Sequence, residues 1–269
     1  MCQESQYLIV VVDHDSGHLL WAAAGRDAKT LRGFFDLLGE QRSALITHVS
    51  ADGAPWIAKV LTERCSEAIV CADPFHVVRW ATEALDEVRK MAWNDARAKA
   101  RQEPKRPRGR PRSDASPDRP ALQRAKALKA SRYALWKNPQ NLTERQQVKL
   151  AWVAKTDTRL YRAYLLKEGL RTVFQLPHQQ AVEALDRWIS WARRCRIPAF
   201  VRLQRSIVRH KDSILAAIEH GLSNGRIESA NTKIRLITRI GFGFKSPEAL
   251  IALAMLSLGG HPPTLPGRK

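Results

Sequence analysis

The stretch most informative about the fold lies near the end of the chain and begins Asn224-Gly225-Arg226-Ile227-Glu228-Ser229-Ala230-Asn231. Four apolar residues follow one another at intervals of three, four and three: Ile227, Ala230, Ile234 and Ile237. This spacing predicts one apolar face of an α-helix, and Ser223 or Asn224 can cap its start.

The opposite stripe of this helix is polar and carries Glu228, Asn231 and Arg235, with Lys233 and Arg239 close by in sequence. One carboxylate is therefore expected on a rigid element among basic side chains. Such a setting suits a metal ion held beside a phosphate backbone. A solvated, salt-bridged helix face is the alternative interpretation.

The first hundred residues alternate between strand-like and helix-like patterns. Strands are predicted at residues 7–12, 18–24, 45–50 and 68–72, and helices at residues 28–38, around 56–61 and from Pro74 onward. Helical crossovers between the later strands favour an α/β fold with a mixed sheet that helices cover on both faces.

Two aspartates follow predicted strands, at positions where open sheets gather catalytic groups. Asp52 follows one strand and precedes Gly53, so ordinary turn chemistry is an alternative. Asp73 follows another strand, and His76 comes three residues later at the start of a helix. These residues become candidates only if other parts of a site accompany them.

The middle of the chain is predicted to be helical, with one interruption of a different composition. Residues 101–120 are rich in Pro, Arg, Lys and Ser, which favours a linker over a packed element. Within it, the segment containing Arg106, Arg108, Arg110 and Arg112 resembles an AT-hook, a peptide that binds the minor groove of A·T-rich DNA. A basic linker that contacts phosphates without specificity is the other interpretation.

The charge of the chain predicts a polyanionic partner. Lys and Arg number 45 against 26 Asp and Glu, a formal net charge of +19, and nucleic acid is the favoured partner. A ribosome-associated or merely basic protein, or one bound to an anionic membrane surface, is the alternative.

Without a long apolar run or the pattern of a signal peptide, we expect a cytoplasmic protein with no membrane span. The four cysteines contain no C-x-x-C pair and are expected to be reduced and buried.

Three motifs together resemble the ISL-three family of bacterial insertion-sequence transposases. They are Asp-x-Phe-His at 73–76, Asn-Gly-Arg-Ile-Glu-Ser-x-Asn at 224–231 and Gly-Phe-Gly-Phe-Lys-Ser at 241–246. The similarity extends from Tyr7 to about Leu258. It implies a DDE nuclease core with an RNase H-like mixed sheet and a large all-α insertion.

The resemblance also implies a division of the chain. The core comprises residues 1–76 and the helices of 221–258, the helical insertion comprises 77–220 with the basic linker at about 101–120, and 259–269 form a tail. In this scheme Asp52 is the second catalytic acid and Glu228 the third, and both bind metal. Asp73, His76 and Asn231 support catalysis, with Asp73 and His76 matching a C/D-x-x-H signature.

The implied chemistry is DNA strand cleavage and strand transfer with Mg²⁺, for which Mn²⁺ can substitute. The implied partner is double-stranded DNA, both transposon ends and target, and homo-oligomers or association with a full-length transposase are expected. The predicted DNA-binding residues are Arg106, Arg108, Arg110, Arg112, Lys233, Arg235 and Arg239.

Family members carry the first catalytic aspartate on a strand that precedes the hairpin at Tyr7, and this sequence shows no such strand. Asp13 is the nearest acid, but it lies at the hairpin turn. We therefore expect unpaired strand edges and a chain that is inactive and poorly stable on its own. Two further functions stay open: a noncatalytic DNA-binding or dimerising fragment that modulates a full-length transposase, and an unrelated phosphatase or nuclease using Asp52 and Asp73.

Overall fold

The computed structural model describes residues 7–51, 53–103 and 119–260. The chain divides into two compact units. We call residues 1–76 with 212–269 the α/β unit, and residues 77–211 the helical unit. The predicted α/β class is confirmed, and helices dominate the fold.

The strands of the α/β unit form two small sheets. Strand β1 (Leu8–Val12) pairs antiparallel with β2 (Leu19–Ala24), and β3 (His48–Ala51) pairs parallel with β4 (Ile69–Ala72). The single mixed sheet expected from the sequence is not seen among the described residues, because no described strand pairs with both β1 and β3. Each of these two strands thus has one edge that no described strand covers.

Three helices follow β2 and β3 and build the first core of this unit: α1 (Ala28–Leu38), α2 (Glu40–Ser43) and α3 (Pro55–Arg64). The Asp27 carboxylate accepts from the Thr30 N–H at 2.8 Å and starts α1, and Gly39 with φ 80° ends it. Helices α1 and α3 pack on both sheets through Ile9 and Val49, so the two sheets share one apolar cluster.

The other face of β1 packs on the last two helices of the chain. Because side chains alternate along a strand, Leu8, Val10 and Val12 contact a second cluster formed by Leu19, Ile234 and Ala254. Ile234 belongs to α12 (Gly225–Ile240) and Ala254 to α13 (Pro247–Leu258). The β1–β2 hairpin is therefore covered by helices on both faces.

The remaining helices occupy the middle of the chain. They are α4 (Pro74–Gln102), α5 (Pro120–Ala130), α6 (Arg132–Trp136), α7 (Glu144–Thr156), α8 (Thr158–Val173), α9 (His178–Arg194), α10 (Pro198–Arg209) and α11 (Lys211–His220). The helical unit has its own core, with Leu85, Leu135, Leu160 and Phe200 fully buried. At the start of α7 the Gln146 carboxamide accepts from the Thr143 N–H at 3.1 Å, one half of a capping box.

Three cysteines, Cys65, Cys71 and Cys195, are free and buried, as predicted, and burial raises the pKa of the Cys65 and Cys71 thiols. Cys2 lies outside the described residues. Among the helices of the described part, none combines the length and apolar character that a membrane crossing requires.

Candidate functional site

The candidate site lies where the parallel strands β3 and β4 end. Ala51 and Ala72 are register partners and the last residues of their strands. Asp73 follows Ala72 directly, so it stands beside the end of β3. Asp52, the residue after Ala51, lies outside the described residues.

Asp73 is a buried connector between three chain segments. Its carboxylate is 3% exposed and accepts from the backbone N–H groups of Phe75 and Asn224, each at 3.3 Å. Its second oxygen lies 2.7 Å from Nδ1 of His76, which fits donation from the ring because a carboxylate only accepts. Asp73 thereby fastens the end of β4 and the start of α4 to the segment that leads into α12.

Asn224 makes the matching connection to β3. It stands at the N-cap position of α12, but its side chain makes no capping bond to that helix. Instead its Oδ1 accepts from the Ser50 hydroxyl at 2.8 Å, so the predicted capping role of this side chain is wrong. A tertiary donor replaces the helix N–H as its partner, and the start of α12 is held on the face of β3 that carries Ser50.

A histidine pair extends the same face of β3. His48 lies two residues before Ser50, and its ring centroid is 4.1 Å from that of His220 at the end of α11. His48 Nδ1 is 3.0 Å from the Thr47 hydroxyl, whereas its buried Nε2 has no hydrogen-bond partner within the described residues. Sequence reasoning missed Ser50, His48 and His220. The alternation of β3 contained the signal, because His48 and Ser50 are both polar and lie on one face of the strand.

Helix α12 presents Glu228, the predicted third catalytic acid, to solvent. Glu228 is exposed in the first turn, where the helix dipole favours a negative charge. Its backbone N–H donates to the Asn224 carbonyl at 2.9 Å, so it lies one turn beyond the Ser50–Asn224 contact. Within the described residues its carboxylate has neither an ion pair nor a side-chain hydrogen bond. The predicted apolar face is confirmed, since Ala230 and Ile234 are buried.

The surroundings of Glu228 are basic. Lys233, Arg235 and Arg239 are exposed on α12, and Asn231 is half-buried. Arg226 lies against the β1–β2 turn, so closely that a Cβ on Gly17 would be 2.6 Å from its guanidinium. Gly17 also has φ 75°, which a residue with a side chain rarely adopts. The four predicted arginines of the linker, Arg106, Arg108, Arg110 and Arg112, lie outside the described residues.

Two other sequence features have local roles. Asp13 closes the β1–β2 turn by accepting from the Ser16 hydroxyl and from the Ser16 N–H, the latter at 2.9 Å, and these bonds lower the pKa of Asp13. Of the two aromatic residues at 242 and 244, Phe242 is fully exposed. Only Phe244 packs, because Phe242 sits in a left-handed turn (φ 51°) that directs it into solvent.

Two cavities of about 390 and 260 Å³ in the described part of the chain are lined by other residues, and none of the described candidate acids contributes to them. The described residues, which do not include Asp52, also contain no group of three or more His, Cys, Asp or Glu able to hold a metal ion.

Comparison with known proteins assigns the family. Residues 2–254 match the ISL3 transposase family. The transposase for insertion sequence element IS1557 of Mycobacterium tuberculosis is 68% identical over 263 residues, in both strain CDC 1551 / Oshkosh and strain ATCC 25618 / H37Rv. The transposase for insertion sequence element IS1001 of Bordetella parapertussis is 27% identical over 246 residues.

These matches cover 98% and 90% of this chain but only 59% and 55% of the relatives, so the chain spans little more than half of their length. No solved structure matches. The motifs at 73–76, 224–231 and 241–246 and the family match agree with one another. The chain belongs to the ISL3 family of insertion-sequence transposases.

Proposed function

We propose that this chain contributes to DNA strand cleavage and strand transfer in cut-and-paste transposition, with Asp52 and Glu228 as acids of one catalytic site. The observation that carries the proposal is the contact of Asn224 with both Ser50 and Asp73, which joins the start of α12 to the ends of β3 and β4. Two candidate regions far apart in sequence thereby meet.

The distances along the chain are compatible with a shared site. Asp52 follows Ser50 by two residues, which span at most about 7 Å of chain. Glu228 follows Asn224 by four residues, a rise of about 6 Å along a helix. Both acids are thus attached to the backbone within about 7 Å of the residues that form the 2.8 Å hydrogen bond between Ser50 and Asn224. The length of each side chain adds to this reach.

The donor set fits a hard divalent cation. Mg²⁺ prefers carboxylate oxygens and retains several waters, and Mn²⁺ accepts the same ligands. Glu228 is exposed and, among the described residues, unpaired, so its carboxylate is available as a ligand. Asp52 and Glu228 would hold the metal. When bound, such ions activate a water or a 3′-hydroxyl and stabilise the leaving oxygen of a phosphodiester.

The other residues of the site position the catalytic acids and bind the DNA. Asp73 and His76 are positioning residues, because Asp73 is buried and its oxygens are engaged by His76 and two backbone N–H groups. Asn231 follows Glu228 by one turn and can orient it or donate to a phosphate. Exposed Lys233, Arg235 and Arg239 neutralise phosphates. We assign DNA binding in the minor groove to Arg106, Arg108, Arg110 and Arg112.

We further propose that the two sheets are halves of one RNase H-like sheet. Both pack on the cluster of α1 and α3, and β1 and β3, like β2 and β4, each have one edge that pairs with no described strand. One strand between them would join the order β2–β1 to β3–β4. Hydrogen exchange tests this, because edge amides of β1 and β3 should exchange faster than amides in the β1–β2 and β3–β4 ladders.

The function is tested in a chimera in which this chain replaces the matching 59% of the IS1557 transposase, to which it is 68% identical. Excision of a marked element carrying the ends of IS1557 is measured in bacteria. Asp52→Asn and Glu228→Gln should each reduce excision to background, because each removes a ligand charge. Asp15→Asn and Glu248→Gln are matched controls, an exposed turn aspartate and an exposed first-turn glutamate, and should excise normally.

Normal excision by the Glu228→Gln chimera would contradict the proposal, as would loss of excision in the Glu248→Gln control. The net charge of +19 favours one alternative, a noncatalytic DNA-binding or dimerising fragment that modulates a full-length transposase. In that case salt-sensitive DNA binding by the chain persists in an Asp52/Glu228 double variant, and excision by the chimera does not depend on either acid.

A further inference from the structure

A second basic surface, distant in sequence from α12, lies on the helical unit. Between Arg119 and Thr156 the sequence contains nine Lys or Arg residues and a single acid, Glu144. Two of the nine have carboxylate partners: Arg119 with Glu103, and Arg124 with Asp157. The other seven are exposed or half-buried cations without an ion-pair partner in the part of the chain that the structure describes.

Three of these cations share a helix face with one tyrosine. Lys126, Lys129, Tyr133 and Lys137 follow at intervals of three, four and four residues, which places them along one stripe. The stripe continues from α5 into α6 because Ser131 between them keeps right-handed helical angles, φ −81° and ψ −7°. We call these four residues the Tyr133 stripe.

Tyr133 is the unusual member of the stripe. Tyr133 is 61% exposed, which is high for a residue type of intermediate average burial. The ring is held at its edge by Trp136, with centroids 6.2 Å apart and planes inclined by 76°. Arg132 lies 3.9 Å from the Trp136 centroid and 5.8 Å from that of Tyr133. Tyr133 is thus an ordered ring presented to solvent among cations.

A further cation belongs to the same region. Lys149 on α7 donates to the Ala130 carbonyl at 3.3 Å, so it stands at the junction of α5 and α6. Its partner is a neutral carbonyl, and its charge is therefore not compensated. The stripe from Lys126 to Lys137 covers twelve residues, a rise of about 16 Å along a helix. That length corresponds to about five phosphates of one DNA strand at 3.4 Å each.

We propose that the Tyr133 stripe binds DNA where a strand carries an unpaired base, with the lysines on phosphates and the Tyr133 ring stacked on that base. Cations that follow the backbone, combined with an exposed aromatic ring, are the combination that binds unpaired nucleic acid. The proposal rests on the proposed function only in taking DNA as the polymer, and it needs no metal and neither candidate acid.

The test measures binding of the complete 269-residue chain to labelled DNA by fluorescence anisotropy in the presence of EDTA. Two probes of the same sequence are compared, a fully paired duplex and a duplex with a short single-stranded gap. Tyr133→Ala should weaken binding to the gapped probe about fivefold to a hundredfold and affect the paired probe far less. Tyr133→Phe keeps the ring and should bind like wild type.

The lysines are tested through salt dependence. Replacing Lys126, Lys129 and Lys137 together by Gln should flatten the dependence of affinity on salt by about two to three units of slope on the gapped probe. A control variant with the same loss of charge, Arg193, Arg205 and Arg209 to Gln on α9 and α10, should flatten it less. Circular dichroism melts establish that each variant is folded.

Four results would overturn the proposal: equal weakening of both probes by Tyr133→Ala, equal loss in Tyr133→Phe, no difference between the lysine variant and its control, or tighter binding to RNA of the same sequence. Glu228→Gln should bind both probes normally. The failure of the proposed function, a Glu228→Gln chimera that still excises, is therefore distinguishable from the failure of this stripe.

Discussion

Replacement of Asp73 by Ala should loosen the start of α12 while leaving the helical unit unchanged. The carboxylate is 3% exposed and accepts from His76 at 2.7 Å and from the N–H groups of Phe75 and Asn224 at 3.3 Å. A hydrogen bond to a charged group contributes about 1.5–3 kcal/mol. The two longer bonds contribute about 0.5–1 kcal/mol each.

The expected loss in Asp73→Ala is therefore about 2.5–5 kcal/mol, confined to the α/β unit. Because a chain with two units need not unfold in one step, the assay is hydrogen exchange read by mass spectrometry on peptides covering residues 69–80 and 218–232. Both peptides should exchange markedly faster in the variant. Peptides of α8 and α9 should not change, and Asp15→Ala, at an exposed turn position, should leave all peptides unchanged.

Asp73→Asn gives the intermediate case. Its amide oxygen can still accept from the two N–H groups, but its NH₂ group replaces the oxygen that faces His76. We expect a loss of about 1–2 kcal/mol, mainly around α4. Unchanged exchange at 218–232 in Asp73→Ala would refute the role of Asp73 as connector, since the Asn224 N–H would then not depend on it.

Other contacts give three further predictions. A double-mutant cycle of Ser50→Ala and Asn224→Ala should show a coupling of about 0.5–1.5 kcal/mol in the stability of the α/β unit, and additive effects would exclude their hydrogen bond. Burial alone would raise the pKa of Asp86, but hydrogen bonds and charge interactions with Arg89 and Lys90 outweigh it and lower that pKa. Its stabilisation is thus complete above the pKa of an aspartate in the unfolded chain, about 3.9, and is lost as the pH falls from there through the lower pKa of the folded state; melts of Asp86→Asn should depend less on pH there, and an unchanged dependence would contradict this. Burial raises the pKa of Tyr164 to about 12, so one of the four tyrosines should ionise last in an absorbance titration and be missing in Tyr164→Phe, whereas four transitions near pH 10 in a folded chain would contradict it.

Local signals predicted the individual elements well. The helix at Ala28–Leu38 has a capping aspartate before it and Gly39 after it, and both the spacing and the caps depend only on nearby residues. The apolar spacing of α12 likewise depends on helical periodicity alone. The strands were predicted within three residues of their ends, since β-branched runs and turn residues mark them.

Tertiary partners were not predictable in the same way. Asn224 at an N-cap can bond its own helix or a neighbour, and only the position of Ser50, 174 residues away, decides between them. Phe242 reads as a core residue, but a left-handed backbone turn exposes it. Asp73 was predicted to support catalysis, and local patterns did not show that its carboxylate is buried and bonded to His76 and Asn224. Sheet pairing also depends on neighbours that local patterns do not specify.

The central claim is that Asp52 and Glu228 share one metal site, and Fe²⁺ in place of Mg²⁺ tests it most directly. With ascorbate and peroxide, bound Fe²⁺ produces hydroxyl radicals that cut the backbone near its ligands. A shared site predicts cuts in the purified chain near both 48–53 and 224–231, suppressed by excess Mg²⁺. It also predicts that Asp52→Asn or Glu228→Gln removes both sets, while Asp15→Asn and Glu248→Gln remove neither. Loss of only the nearer set in each variant, or cuts at unrelated positions, would contradict a shared site.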